Sequence, residues 1–88
     1  MAMLGMDIAE VRALSQQLNS SANDITQIIQ QLTSKLGSTT WVGQDRNQFE
    51  SDWQSQHVTN LRNVAQALTD AGRLAGQNAD QQETTSNA

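Results

Sequence analysis

The sequence predicts an all-α protein: an antiparallel two-helix hairpin, about residues 7–36 and 44–76, that dimerises into a four-helix bundle. Three observations indicate this fold. Apolar residues recur every three or four positions in both halves, a glycine-containing segment separates the halves, and the chain has no proline. Such spacing is typical of helices packed side by side. The 88 residues are expected to form one domain, and the polar segment 77–88 is predicted to be a disordered tail.

The first predicted helix, residues 7–36, has a start signal and a stop signal. Asp7 can cap its N-terminus, and Glu10 three residues later completes a capping box. Gly37 supplies the stop, because glycine readily adopts the left-handed conformation that follows a helix end. The stripe predicted to face the second helix includes Ser15 as its one polar member and otherwise comprises Ile8, Val11, Leu18, Ala22, Ile25, Ile29, Leu32 and Leu36.

The second predicted helix, residues 44–76, carries a stripe of large apolar residues. His57 fills the gap in this stripe between the second tryptophan and the next leucine. Gly72 and Gly76 are expected to weaken the last turns by about 1 kcal/mol each relative to alanine. The apolar members of the stripe are Phe49, Trp53, Leu61, Val64, Leu68, Ala71 and Ala75.

Further apolar residues lie beside the two stripes and predict a second chain. Leu14 and Ile28 flank the first stripe, and Val58 and Ala65 flank the second. With 36% hydrophobic and 3% aromatic residues, a single hairpin has too little apolar surface for a deep core of its own. A second hairpin, either another copy or a sister chain, would complete a four-helix bundle. The predicted dimer interface comprises Leu14, Leu18, Ile25, Ile28, Phe49, Trp53, Val58, Leu61, Ala65 and Leu68.

The segment between the helices, GSTTWVGQDRNQF, places a tryptophan in a turn. Trp41 has two interpretations: a lid packed over the end of the bundle, or a recognition anchor, a role in which tryptophan is enriched at protein interfaces. Gly43 is expected to let the backbone enter the second helix tightly beside the indole. On this interpretation a bulkier residue at position 43 would push the ring away.

Composition argues against several functional classes. The net charge of −4 disfavours nucleic-acid binding, which needs clustered cations. Without cysteine there is no disulfide or thiolate chemistry. His57, the single histidine, is either a boundary residue or a pH switch, and lacks a neighbouring metal ligand. Asp45, Glu50 and Asp52 complement the dipole of a helix N-terminus. The sequence predicts no enzyme, no catalytic residue, no metal and no cofactor.

The tripeptide WVG between two amphipathic helices, in a short acidic chain without cysteine, resembles the WXG family, the Esx or early-secreted-antigen-like proteins of type VII secretion. The resemblance covers about residues 8–75. An aromatic residue eight positions after the motif tryptophan, Phe49, and a large residue on the same face, Trp53, also fit the family. The family pattern carries over to Trp41 and Gly43 as the turn part of a composite secretion signal.

The resemblance also implies a second signal element that this chain lacks. Family members carry Tyr-x-x-x-Asp/Glu after the second helix, usually on the other chain of the dimer. Here the tyrosine position falls near Ala75 and the acid position near Ala79, with Asp80 one residue late, and the chain has no tyrosine. A partner could supply the signal, another C-terminal element such as LAGQNADQQ could replace it, or the chain is not itself exported.

The resemblance implies a non-enzymatic substrate or structural component of a type VII secretion system that binds the export ATPase as a dimer. The N-terminus has no basic region and no apolar core of a cleavable signal peptide. We therefore expect export by this system, with the protein in the cytoplasm beforehand. A cytoplasmic helical-hairpin adaptor that is never exported is the main alternative. A DNA-binding helix-turn-helix protein is a third class, which the net charge disfavours.

Overall fold

Two helical arms lie side by side in a rod that measures 65 × 18 × 15 Å. The computed structural model describes residues 5–87, and this part of the chain is all-α, as predicted. The first arm is helix α1 (Ile8–Ser38). The second arm comprises helix α2 (Gln44–Asp52), a π-helical turn (Trp53–His57) and helix α3 (Val58–Asn87), which follow one another without a break.

Contacts between the arms show that they run antiparallel. Near the turn, the Trp53 indole N–H donates a hydrogen bond of 2.9 Å to Thr33 Oγ1. Farther from the turn, the Ser15 hydroxyl donates one of 2.6 Å to the carbonyl oxygen of Gly72. The C-terminal part of the first arm thus contacts the N-terminal part of the second arm, and the N-terminal part of the first contacts the C-terminal part of the second. The predicted hairpin is confirmed.

Helix α1 begins as predicted and ends later than predicted. The carboxylate of Asp7 caps the N-terminus by accepting the Glu10 backbone N–H at 3.1 Å. Gly37 does not stop the helix, which continues to Ser38. The hydroxyl of Thr39 then donates to the carbonyl oxygen of Lys35 at 2.6 Å. This hydroxyl satisfies a carbonyl of the last turn, so no left-handed glycine is required.

A row of buried residues spaced by seven forms the contact between the arms. On the second arm the row contains Val58 and Ala65, which are only 6% and 9% exposed. The sequence analysis placed these two residues on a flank that meets a second chain, and this prediction is wrong, because they pack inside the hairpin. We call the row the seam; it comprises Ser15, Ala22 and Ile29 in α1 and Val58, Ala65, Gly72 and Ala79 in α3.

Away from the turn the seam is built from small residues, because the two helices approach closely there. A Cβ atom added to Gly72 would lie 3.0 Å from the carbonyl oxygen of Ser15 and 2.9 Å from Asn19 Oδ1. A seam of leucines at this separation would clash with the facing backbone. Gly72 therefore lowers helix propensity, as the sequence indicates, but it also permits the hydrogen bond from Ser15.

The π-helical turn shifts the phase of the second arm. Its Val58 backbone N–H donates to the carbonyl oxygen of Trp53, five residues earlier. The inward-facing residues on either side of the turn are consequently Trp53 and Val58, and His57 is exposed. The prediction that His57 belongs to the stripe is therefore wrong. A helix with four residues in this step would have turned position 57 inward, and the π turn contains one residue more.

The segment predicted to be a disordered tail is helical, which corrects the sequence analysis. Helix α3 continues through Asn87, while residue 88 and residues 1–4 lie outside the described residues. Ala79 is fully buried, and the Arg12 guanidinium forms two hydrogen bonds of 3.1 Å with the Glu83 carboxylate. Arg12 also pairs with Asp80 at 3.0 Å. These hydrogen bonds lower the pKa of Glu83 and raise that of Arg12. A partner 71 residues away in the sequence thus holds the last turns.

We predict that Gly72→Ala destabilises the hairpin although alanine is the better helix former. The added Cβ would force the arms apart, and such overpacking costs about 1–3 kcal/mol, more than the roughly 1 kcal/mol gained in helix propensity. Gly37→Ala is the matched control, because a Cβ there meets nothing within 4 Å. It should gain about 0.5–1 kcal/mol. Urea unfolding followed by circular dichroism measures both. Equal stabilisation by the two variants would contradict the close seam.

Candidate interaction surface

Large apolar side chains lie exposed along one side of the hairpin. Residues one position before or three positions after a seam residue point to the same side of a helix. On α1 these positions include Leu14 and Ile28, which are 51% and 46% exposed, and on α3 they include Val64, which is 48% exposed. We call this side the apolar face; its large residues are the exposed Leu14, Ile28, Leu32 and Val64 and the half-buried Leu18, Ile25, Leu61 and Leu68.

The opposite side of the hairpin is a polar groove. Positions one or four residues after the seam form its walls, and the small side chains of Ala22 and Ala65 form its floor. The groove has a volume of about 320 Å³. The hairpin therefore has one apolar and one polar side, and only the apolar side has the character of a surface that helices bury. The walls of the groove comprise Asn23, Thr26, Arg62, Gln66 and Thr69.

Aromatic residues extend the apolar face to the turn. The ring of Trp41 packs against that of Phe49 with centroids 5.3 Å apart and planes tilted by 51°. Tilted pairs at this distance are favourable for aromatic rings. Trp41 nevertheless remains 38% exposed and Phe49 46% exposed. Trp41 is thus held by one neighbour and still presents much of its ring to solvent.

An apolar groove lies beside this aromatic pair. It has a volume of about 220 Å³ and is lined by Leu32, Leu36, Phe49 and Trp53. The hydrogen bond from the Trp53 indole to Thr33 fixes one wall, because the ring cannot rotate without losing that bond. The groove is open and shallow, which suits an apolar side chain of a protein partner better than an enclosed small molecule.

Gly43 is required for its backbone conformation rather than for space. Its φ is 126° and its ψ is −176°, a combination accessible essentially only to glycine. A Cβ at this position would meet nothing within 4 Å. The expectation that a bulkier residue would push the Trp41 ring away is therefore wrong. The carbonyl oxygen of Gly43 accepts the Asn47 N–H at 3.2 Å and so starts the second arm.

Most residues predicted for the dimer interface lie together on the apolar face or at its turn end. We call this turn end, with Trp41, Phe49 and Trp53, the aromatic end. The exceptions are Val58 and Ala65, which the seam buries. Leu32 and Val64 are surface residues that the apolar pattern had assigned to the contact between the helices. The spacing by seven of small residues such as Ala65, Gly72 and Ala79 is the signal that indicates the seam. The predicted residues that share the face or its aromatic end are Leu14, Leu18, Ile25, Ile28, Phe49, Trp53, Leu61 and Leu68.

The described part of the chain offers few groups with reactive chemistry. Within residues 5–87, no three or more histidine or carboxylate side chains cluster in a way that could hold a metal ion. The exposed ring of His57 lies 6.2 Å from the ring of Trp53. Among the described helices, none combines the length and the apolar character needed to cross a membrane.

Comparison with protein-family models, with curated protein sequences and with solved structures finds no match for this chain. A functional hypothesis therefore depends on the residues of the apolar face and the turn. Large apolar side chains are exposed together on this face, and aromatic rings lie at its turn end.

We predict that Gly43→Ala destabilises the hairpin by about 1–3 kcal/mol, the usual cost of forcing a side-chain-bearing residue into a glycine conformation. Val42→Ala is the control, because Val42 is 91% exposed and its change should stay within about 0.5 kcal/mol. Thermal and urea unfolding measure both variants. A Gly43→Ala protein as stable as Val42→Ala would show that the turn does not need this conformation.

Proposed function

We propose that the chain is a non-enzymatic interaction protein whose apolar face pairs with a second helical hairpin to form a four-helix bundle. The observation that supports this proposal is the distribution of side-chain size. Small residues occupy most of the seam within the chain, with Ile29 and Val58 toward the turn, and large residues such as Leu14, Ile28 and Val64 lie about half-exposed on one face. Exposed apolar residues grouped in this way mark protein interfaces.

The shape and charge of the apolar face favour a helical partner. Its α1 row runs from Leu14 to Leu32, about 27 Å along the helix axis. A second row, from Leu61 to Ala75, lies beside it on the antiparallel helix α3. Neither row contains a charged residue, so burying both requires no desolvation of charge. A pair of helices of similar length, from another copy of this chain or from a sister hairpin, matches two such rows.

We further propose that the paired hairpins belong to a type VII, Esx-like secretion system and present the turn with Trp41 and Gly43 to its export ATPase. The resemblance of the WVG turn to the WXG family suggests this role. The partly exposed ring of Trp41 at one end of the rod supports it, because a recognition anchor must be accessible. The protein would leave the cytoplasm through this system.

The lack of tyrosine favours one alternative function. Without the Tyr-x-x-x-Asp/Glu element, the chain depends on a partner or on its own last turns for the second part of the signal. A hairpin that binds partners through the same face and stays in the cytoplasm as an adaptor needs no such signal. Export itself separates the two functions.

The double variant Leu14→Gln/Ile28→Gln is predicted to abolish pairing. Both residues lie on the apolar face, and glutamine is a good helix former, so the hairpin should keep its helical content. Leu74→Gln is the control, because Leu74 is 57% exposed but lies off the apolar face. Light scattering after size exclusion should give about twice the chain mass of 9.6 kDa for the wild type and the control, and the single mass for the double variant. A folded wild-type monomer would contradict self-pairing and leave a sister hairpin as the proposed partner.

Trp41→Ala is predicted to reduce export without preventing pairing. The experiment compares secreted and cell-associated protein in the producing cell, with its type VII ATPase active or inactivated. Val42→Ala is the matched control in the same turn. Wild type and control should be exported only with an active ATPase, and Trp41→Ala should remain in the cells. Wild-type protein that never leaves the cell would overturn the export role and support the adaptor function.

A further inference from the structure

The π-helical turn lies where the aromatic end of the second arm joins the seam. Along α3 the seam residues Val58, Ala65 and Gly72 repeat every seven positions. Trp53, the inward-facing residue that precedes them, is five positions before Val58, where an unbroken α-helix would have three or four. The additional residue turns everything before it by about 100° relative to α3.

An uninterrupted α-helix would place the aromatic residues on the wrong side. The seam position before Val58 would then be residue 51. Phe49 and Trp53, each two residues from it, would lie about 160° away from the seam and face solvent. With the π turn, the seam position falls on Glu50, whose partly exposed carboxylate pairs with Arg46 on the same helix. Trp53 then lies about 60° from the seam and Phe49 about 100°, both on the side of the apolar face.

The observed contacts agree with this register. Trp53 reaches Thr33 on α1 with its indole N–H, and Phe49 lines a groove together with Leu32. The ring of Phe49 also packs against the ring of Trp41. All three contacts require the rings to point toward α1 or along the apolar face. None of them would form if the second arm kept the phase of α3.

We propose that the π-helical turn is a positioning element that aligns Phe49 and Trp53 with the apolar face, so that one continuous surface meets a second copy of this chain. Isolated π turns are less favourable than an α-helix and are frequent at functional sites. The role of the combined surface rests on the proposed function. The alignment of the rings is a property of the single chain and does not depend on any partner.

Deletion of one residue tests the proposal. Ser55 is exposed within the turn, and its hydroxyl donates to the carbonyl oxygen of Ser51 at 2.8 Å on the same arm. Removing it leaves three residues between Trp53 and Val58, so that the two are four positions apart and the arm can continue as an α-helix. Ser55→Ala keeps the length and is the control. Deletion of Ser55 together with insertion of an alanine between Gln56 and His57 restores the length and should restore the wild-type behaviour.

Two measurements report the effect of these changes on ring alignment and on self-association. Nuclear Overhauser contacts between the Phe49 ring and the Leu32 methyl groups report the alignment. Sedimentation equilibrium reports self-association. The deletion should remove the contacts and weaken self-association by at least about tenfold while helical content stays unchanged. Insertion of the same alanine into the otherwise unchanged chain rotates the rings the other way, and it provides a second displacement if the deletion does not fold.

Each result has a definite meaning. Contacts between Phe49 and Leu32 that survive both changes would show that the π turn does not set the alignment. Lost contacts with unchanged self-association would show that the aromatic end is not part of the binding surface. A wild-type chain that remains monomeric would contradict self-pairing in the proposed function, and the ring contacts would still decide the alignment.

Discussion

The close approach of the two helices along the seam determines where the large apolar side chains lie. The Ser15 hydroxyl donates a hydrogen bond to the carbonyl oxygen of Gly72, and no residue larger than glycine fits at position 72 without displacing its neighbours. Because small residues occupy most of the contact, the large apolar residues are displaced to one side of the hairpin. A tight seam and an exposed apolar face are therefore two consequences of the same packing.

Three local features connect the ends of the rod to this seam. The π-helical turn sets the phase of the aromatic residues, and Gly43 supplies the backbone conformation from which the second arm begins. At the other end, Arg12 holds the last turns of α3 through Glu83 and Asp80. The result is a long rod with an aromatic end, which can present the turn at a fixed position relative to any partner on the apolar face.

Local sequence signals predicted the helices, the cap at Asp7 and the start of the second arm. They did not predict the phase of the seam, because a hydrophobicity pattern selects large residues and overlooks a row such as Ala65, Gly72 and Ala79. The extra residue of a π-helical turn cannot be recognised from composition. The regular spacing therefore assigned His57 to the inward-facing stripe, a position that Val58 occupies. The helical end of α3 depends on Arg12, a contact between distant parts of the chain that periodicity does not reveal. Of the exposed apolar residues, Leu14 and Ile28 were expected to lie beside the contact between the helices. Leu32 and Val64 were expected inside that contact, because the phase of the seam was not predicted.

The most direct test of the seam is a nuclear Overhauser measurement on the unmodified chain. A Cβ atom added to Gly72 would lie 3.3 Å from Leu18 Cβ. The close seam predicts strong contacts from the α-protons of Gly72 to the β-protons of Leu18 and Ser15. Absence of these contacts in a chain that remains helical would contradict the close seam.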